Sequence, residues 1–152
     1  MPRTSSVVVD VPAPPEAVWA VLTDVSRVGE WSHEARTARW TRGDPGAVGS
    51  VFRGRNRSGP VRWSRPCTVR ESVPYSRFVW ATDGGPFGDR VVWEFDLAAT
   101  ATGTRITQRY RIEAMPRLLE AAVVRVLPGH RDREAALAAD LVRLGEVAAR
   151  PR

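Results

Sequence analysis

The segment from Arg90 to Glu113 reads RVVWEFDLAATATGTRITQRYRIE and decides how the rest of the chain is interpreted. Its apolar residues alternate with polar ones on both sides of a Thr-Gly turn: Val91, Trp93, Phe95 and Leu97, then Ile106, Tyr110 and Ile112. Successive side chains of a strand point to opposite faces of a sheet. The alternation therefore predicts two antiparallel strands with one apolar face and one wet face.

The sequence on the N-terminal side of this segment also predicts strands. β-Branched and aromatic runs between turn residues predict further strands at 5–11, 36–42, 50–57, 61–72 and 77–82, besides 90–98 and 104–113. Short turns rich in Gly, Pro, Asp and Ser join the last six, as in an antiparallel meander. Between the first strand and this meander, residues 12–31 predict two short helices, the first begun by prolines and the second capped by Asp24.

From about residue 116 the apolar spacing becomes helical. Pro128-Gly129 must break or kink this long helix, and Asp140 with Arg143 is predicted as an ion pair on its exposed side. The fold class is therefore α+β, with a curved antiparallel sheet of about seven strands wrapped around a long C-terminal helix. We expect a single domain over residues 1–152, and a cavity wherever the helix does not fill the hollow of the sheet.

Composition limits the possible partners and chemistry. All 23 basic residues are Arg, against 17 acidic residues, so the net charge is +6 and lysine chemistry is excluded. The arginines are spread along the chain, which predicts no nucleic-acid partner. The N-terminal apolar run is too short for a signal peptide or a membrane span, so we expect a cytoplasmic protein without stable membrane insertion. We also expect a monomer or a homodimer.

Strand parity directs a set of mostly aromatic side chains into the predicted hollow. Its members are Phe52, Asn56, Trp63, Phe78, Trp80, Trp93, Phe95, Gln108 and Tyr110. Ligand pockets are mostly apolar with a few placed polar groups. The amides of Asn56 and Gln108 could therefore bond a ligand, or equally the neighbouring backbone.

Glu34 is the candidate acid or base, at the expected mouth of the cavity. Burial among aromatic rings would raise its pKa, whereas an arginine partner at the surface would make it structural. His33 could assist it, or stay exposed without a role. Cys67 is predicted to be a small buried hydrophobe. No zinc spacing and no nucleotide-binding motif is present in the sequence, so we expect neither metal nor cofactor.

The chain resembles the helix-grip superfamily, which includes START domains, the birch-pollen allergen fold and the polyketide cyclase/dehydrase and lipid transport group. The residues that carry the resemblance are 12–19, Leu22, Asp24, Trp31, Gly46, Gly49, 52–56, Trp63 and 103–107. The resemblance implies the fold described above and a small hydrophobic ligand. It does not establish an activity, because folds host many functions.

The sequence is compatible with three functions. The first is binding of a small aromatic, polyketide-like or lipid-like molecule in a cavity of about 300–1,000 Å³. The second is a polyketide aromatase/cyclase or dehydratase in which Glu34 moves protons. The third is a non-enzymatic module that binds a regulatory partner, which a solid interior would favour.

Overall fold

A computed structural model describes residues 2–151, without the side chain of Arg131. The strands are β1 (Thr4–Val11), β2 (Ala35–Arg42), β3 (Val51–Ser58), β4 (Val61–Val73), β5 (Arg77–Asp83), β6 (Arg90–Ala99) and β7 (Thr104–Ala114). The helices are α1 (Pro15–Thr23), α2 (Arg117–Val126) and α3 (Glu134–Ala149), with 3-10 helices at Val25–Glu30, Gly85–Phe87 and Pro128–Arg131. Each predicted strand is found to within one residue at either end.

The strands form one antiparallel sheet in the order β1-β7-β6-β5-β4-β3-β2. Six of them follow one another as the predicted meander, and β1 joins the far edge by pairing Thr4 with Arg111 and Val11 with Thr104. Register shifts interrupt β2 next to β3, and β4 next to β5. Such irregularities bend a strand and increase its twist, and they favour a curled sheet.

The helices cover the concave face of the sheet. α1 begins at Pro15, where the missing N–H of proline needs no partner. Asp24 precedes the next 3-10 helix as predicted, but its carboxylate accepts the Ser26 hydroxyl at 2.5 Å rather than a backbone N–H. The predicted long helix is broken at Pro128 into α2 and α3. α3 packs on β1 and α1, and Leu141 and Leu144 are completely buried there.

The convex face of the sheet is not uniformly wet. Val79, Ala81 and Val92 form a small second buried cluster on that face, so the prediction of a wholly polar face is wrong at these positions. Their cross-strand neighbours include Glu94 and Arg111. Such long side chains cover apolar surface with their stems while their charged ends reach water. Within residues 2–151, no helix is both long and apolar enough to cross a membrane.

Candidate functional site

A cavity of about 370 Å³ lies between the concave face of the sheet and the C-terminal helices. Strands β2 to β7 supply one wall. The opposite wall comes from α2, the Pro128–Arg131 turn and the start of α3. Its lining side chains include Ala122, Val126, Leu127, His130 and Leu137. α2 has no buried residue, so it is a thin cover over the cavity rather than part of the packed core. The volume lies in the range expected from the sequence.

The predicted aromatic wall is present apart from one member. Phe52, Asn56, Trp63, Trp80, Trp93, Phe95, Gln108 and Tyr110 all line the cavity. Phe78 does not, because it is completely buried with its ring 5.6 Å from Trp19 and 5.6 Å from Trp80. Its parity was predicted correctly, but α1 covers this end of the sheet and fills the space in front of it.

The wall is held together by contacts between its own rings. Trp80 stacks on Phe95 with centroids 5.1 Å apart, and Phe52 meets Trp80 edge-on at 5.6 Å. Trp31 adds an edge contact to Phe95 at 6.0 Å. Aromatic pairs of this kind each add about 0.5–1.5 kcal/mol beyond the area they bury. The chamber is therefore preformed, because its lining does not depend on a ligand to hold it in place.

Glu34 lies at the edge of the cavity, between His130 and Arg133. One carboxylate oxygen pairs with His130 Nε2, and the other accepts a hydrogen bond of 2.6 Å from Arg133 Nη2. Burial acts to raise the pKa of Glu34, but the His130 hydrogen bond and the charge of Arg133 outweigh it and lower the pKa overall. The expectation of a raised pKa is therefore wrong. Glu34 is a carboxylate at neutral pH and a poor general acid.

His33 does not hydrogen-bond Glu34. Its backbone N–H donates to Asp140 Oδ1 at 2.9 Å, and its Nδ1 lies 2.7 Å from Asp140 Oδ2. Asp140 also pairs with Arg143, whose Nε donates to the Trp31 carbonyl at 3.1 Å. Asp140 is only 2% exposed, so the prediction of a surface ion pair is wrong for this residue. These contacts fasten the segment before β2 to α3.

Arg133 brings a positive charge to the aromatic wall. Its guanidinium carbon lies 5.1 Å from the centre of the Trp93 ring and 5.8 Å from that of Tyr110. Both distances fit cation–π contacts. Burial raises the pKa of Tyr110, so its phenol stays neutral near pH 7. Neither Arg133 nor His130 was among the site residues predicted from sequence. Their closeness to Glu34 depends on the chain turning back after Pro128.

Four buried polar atoms on cavity-lining residues have no hydrogen-bond partner. They are the donors Trp31 Nε1 and Arg133 Nε, and the acceptors Gln108 Oε1 and Asp89 Oδ1. Within the described part of the chain, they are the only buried side-chain nitrogens and oxygens in this condition. An unpaired buried polar group costs about 1–3 kcal/mol, so each one requires an explanation. All four residues line this one chamber, although the Asp89 Oδ1 atom itself lies against Gly84.

Cys67 lines the cavity and behaves as the sequence predicts. It is 5% exposed, and burial raises the pKa of its thiol to about 12. A protonated thiol is a weak nucleophile, so Cys67 contributes packing. Within residues 2–151, no group of three or more His, Cys, Asp or Glu side chains is arranged to hold a metal ion.

Solved structures share this fold over the whole chain. Protein MLL2253 from Mesorhizobium loti matches with a TM-score of 0.69 at 21% identity, covering 99% of each chain. Ara h 8.0201 matches with a TM-score of 0.63 at 13% identity, covering 97% of this chain and 98% of that one. The di-domain ARO/CYC BexL from the BE-7585A biosynthetic pathway matches at 0.66 and 14%, covering 98% of this chain and 50% of its own.

Likeness at these identities establishes the helix-grip fold alone. No curated protein matches the sequence. A family profile does, over residues 2–143, and its description is polyketide cyclase / dehydrase and lipid transport. The match spans nearly all of the chain. The chain therefore belongs to the polyketide cyclase / dehydrase and lipid transport family.

Proposed function

We propose that the protein binds a small, largely apolar molecule, with an aromatic or conjugated part and at least two polar groups, inside the cavity. The observation that carries the proposal is that the four unpartnered buried atoms all belong to residues around one aromatic chamber. A ligand with both acceptor and donor groups would pair with Trp31 Nε1, Arg133 Nε and Gln108 Oε1, and the rings would cover its apolar part. The chamber is preformed, which lowers the cost of ordering on binding.

The polar atoms suggest how such a ligand would be oriented. Trp31 Nε1 and Arg133 Nε are donors and suit a carbonyl, enolate or carboxylate oxygen of the ligand. Gln108 Oε1 is an acceptor and suits a hydroxyl or amide hydrogen. A plain alkane chain would leave all of these atoms unpaired. The cavity therefore favours an oxygenated ring compound over an unsubstituted hydrocarbon.

The first test uses the fluorescent naphthalene probe 8-anilinonaphthalene-1-sulfonate, whose ring system and anionic group resemble the expected ligand. Trp80 and Trp93 line the cavity, so bound probe should accept energy from them and quench their emission. Saturation at about 100 times Kd should stabilise the fold by about 2.7 kcal/mol. Native mass spectrometry of freshly purified protein would show a carried-over compound directly. Absence of quenching, stabilisation and any copurified molecule would refute the proposal.

A catalytic role is the second candidate, and one observation favours it. The Glu34 carboxylate holds His130, whose ring lies 5.9 Å from Trp63 on the cavity wall. A carboxylate that orients a histidine is a recurrent arrangement for a general base. On this proposal His130 moves the proton during cyclisation of a poly-β-ketone, and Glu34 positions it. Replacing His130 by Gln should then abolish turnover of a poly-β-ketone substrate while probe binding persists. Unchanged turnover excludes this role.

A further inference from the structure

The positive charge of the protein is concentrated in three neighbouring strands. Residues 35–70, which span β2, β3 and most of β4, contain nine arginines and a single acidic residue, Asp44. The rest of the chain contains fourteen basic and sixteen acidic residues. The whole excess of +6 therefore arises from this part of the sheet. The arginines occur along the whole chain, as predicted, but the acidic residues that offset them lie almost entirely outside this segment.

Strand register places five of these arginines together on the convex face, away from the cavity. The inner positions of β3 are known, because Phe52, Gly54 and Asn56 line the cavity. The alternate positions of β3 and their cross-strand partners form what we call the arginine face: Arg39, Arg53, Arg55, Arg57 and Arg62. All five are exposed. Arg39 lies directly opposite Arg53, and Arg57 directly opposite Arg62.

These arginines differ from the others on the same side of the sheet. Arg77 pairs with Asp96 at 2.9 Å, and Arg109 pairs with the same carboxylate at 3.0 Å. Within residues 2–151, no carboxylate pairs with any member of the arginine face, and the Arg57 side chain donates only to the Gly59 carbonyl. Like charges directly opposite each other destabilise an antiparallel pair. The opposed arginines therefore lower the stability of the fold. A bound polyanion would reduce the repulsion between them.

We propose that the arginine face binds the phosphate backbone of double-stranded nucleic acid without reading its sequence. Guanidinium groups match phosphate geometry and pair with it through two hydrogen bonds. The distance from Arg53 to Arg57 along β3 is about 13 Å. One strand of a duplex presents about four phosphates over that length, since they recur every 3.4 Å or so along the axis. Five guanidinium groups are thus matched to a short stretch of backbone.

The composition of the face argues against other polyanions. β2 and β3 present no large exposed apolar side chain, and Val48 lies in the loop between them. Membrane-surface elements add apolar groups that enter the bilayer, and protein interfaces have an apolar centre. Single-stranded nucleic acids are held by exposed aromatic rings. A face of guanidinium groups without exposed apolar groups suits an ordered array of phosphates.

The test is fluorescence anisotropy of a labelled DNA duplex of about 20 base pairs, with the intact protein, between 50 and 200 mM salt. Five phosphate contacts give a log–log salt slope of about −4.5, so affinity should fall roughly 500-fold across this range. The triple variant Arg39→Gln, Arg53→Gln, Arg55→Gln should bind more weakly at 50 mM. It should lose only about 12-fold over the same range, since two contacts remain.

A control variant removes the same charge from other exposed positions: Arg117→Gln, Arg125→Gln and Arg150→Gln. It should keep the steep salt dependence. Thermal unfolding checks the fold, and the triple variant should be at least as stable as the wild type because an opposed pair of like charges is relieved. The proposal is overturned if the wild type does not bind duplex at 50 mM salt, or if the control weakens binding as much. Tighter binding to phosphatidylglycerol vesicles than to duplex overturns it in favour of a lipid surface.

Discussion

Replacing Gly54 by Val should stabilise the protein and at the same time weaken ligand binding in the cavity. Gly54 lines the cavity from β3, and a Cβ built on it meets no atom within 4 Å. Valine suits a strand, and relief of the glycine entropy cost contributes about 0.5–1 kcal/mol. A fully buried Val side chain adds about 1.5–3 kcal/mol. The burial energy of the new valine should be about half of this value or less, because one side of its side chain still faces the chamber.

The expected gain is therefore about 1–2 kcal/mol, or about 2–8 °C in Tm for a domain of this size. Binding should change in the opposite direction, because the new methyl groups occupy space that the ligand needs. Overpacking of about 1–3 kcal/mol corresponds to about 5- to 150-fold weaker binding of 8-anilinonaphthalene-1-sulfonate. General damage to the fold would lower both quantities, so opposite signs identify the site.

The measurements are thermal unfolding by circular dichroism and a fluorescence titration with the same probe. Ser64→Val is the matched control, because Ser64 lies opposite Arg55 on the convex face and does not line the cavity. It should leave the affinity for the probe unchanged. Wild-type affinity in Gly54→Val would show that the probe binds elsewhere, and a lower Tm would show that the space beside Gly54 is already filled.

Three further predictions concern single groups. Gly145→Ala should lower the free energy of unfolding by about 1–2 kcal/mol in urea titrations, because its Cβ would lie 2.4 Å from that of Val11 and overpacking outweighs the helix-propensity gain; an unchanged or higher stability would contradict this close approach. Cys67, with a pKa of about 12, should resist iodoacetamide at pH 8 until the protein is denatured, and rapid native labelling would contradict its burial. Glu34→Gln should cost about 1.5–3 kcal/mol at pH 7, since Arg133 loses its carboxylate. Because the folded pKa of Glu34 is lowered, this stabilisation is present above pH 4.5 and lost as the pH falls below it; an unchanged acid unfolding curve in the variant would refute the pairing.

The sheet could be predicted from sequence because its signals are local. Alternation through Trp93, Phe95 and Tyr110 specifies which face is apolar, and the turn residues specify the strand ends. The same parity rule placed Phe78 in the cavity wall, which is wrong. Parity gives the face of a side chain but not what lies in front of it. The side chain that lies in front of Phe78 is Trp19, which is 59 residues away along the chain.

The polar end of the cavity could not be predicted in the same way. Glu34 meets His130 and Arg133, which follow it by 96 and 99 residues, and no local spacing encodes that contact. For Asp140, the i,i+3 pairing with Arg143 was predicted correctly, but the exposed position was not. The segment around His33 covers that side of α3 and buries the carboxylate.

The pairing of β1 with β7 has a consequence for how the protein acquires its structure. Thr4 pairs with Arg111, so more than a hundred further residues must be synthesised before β1 has a partner strand. Long-range pairing of this kind carries a large loop-closure cost and slows folding. The meander can assemble during synthesis, but the first strand must remain unpaired until the seventh has left the ribosome. An unpaired strand with Val7, Val8 and Val9 in sequence is a hazard for aggregation, which makes prompt closure of this edge important for a high yield of native protein.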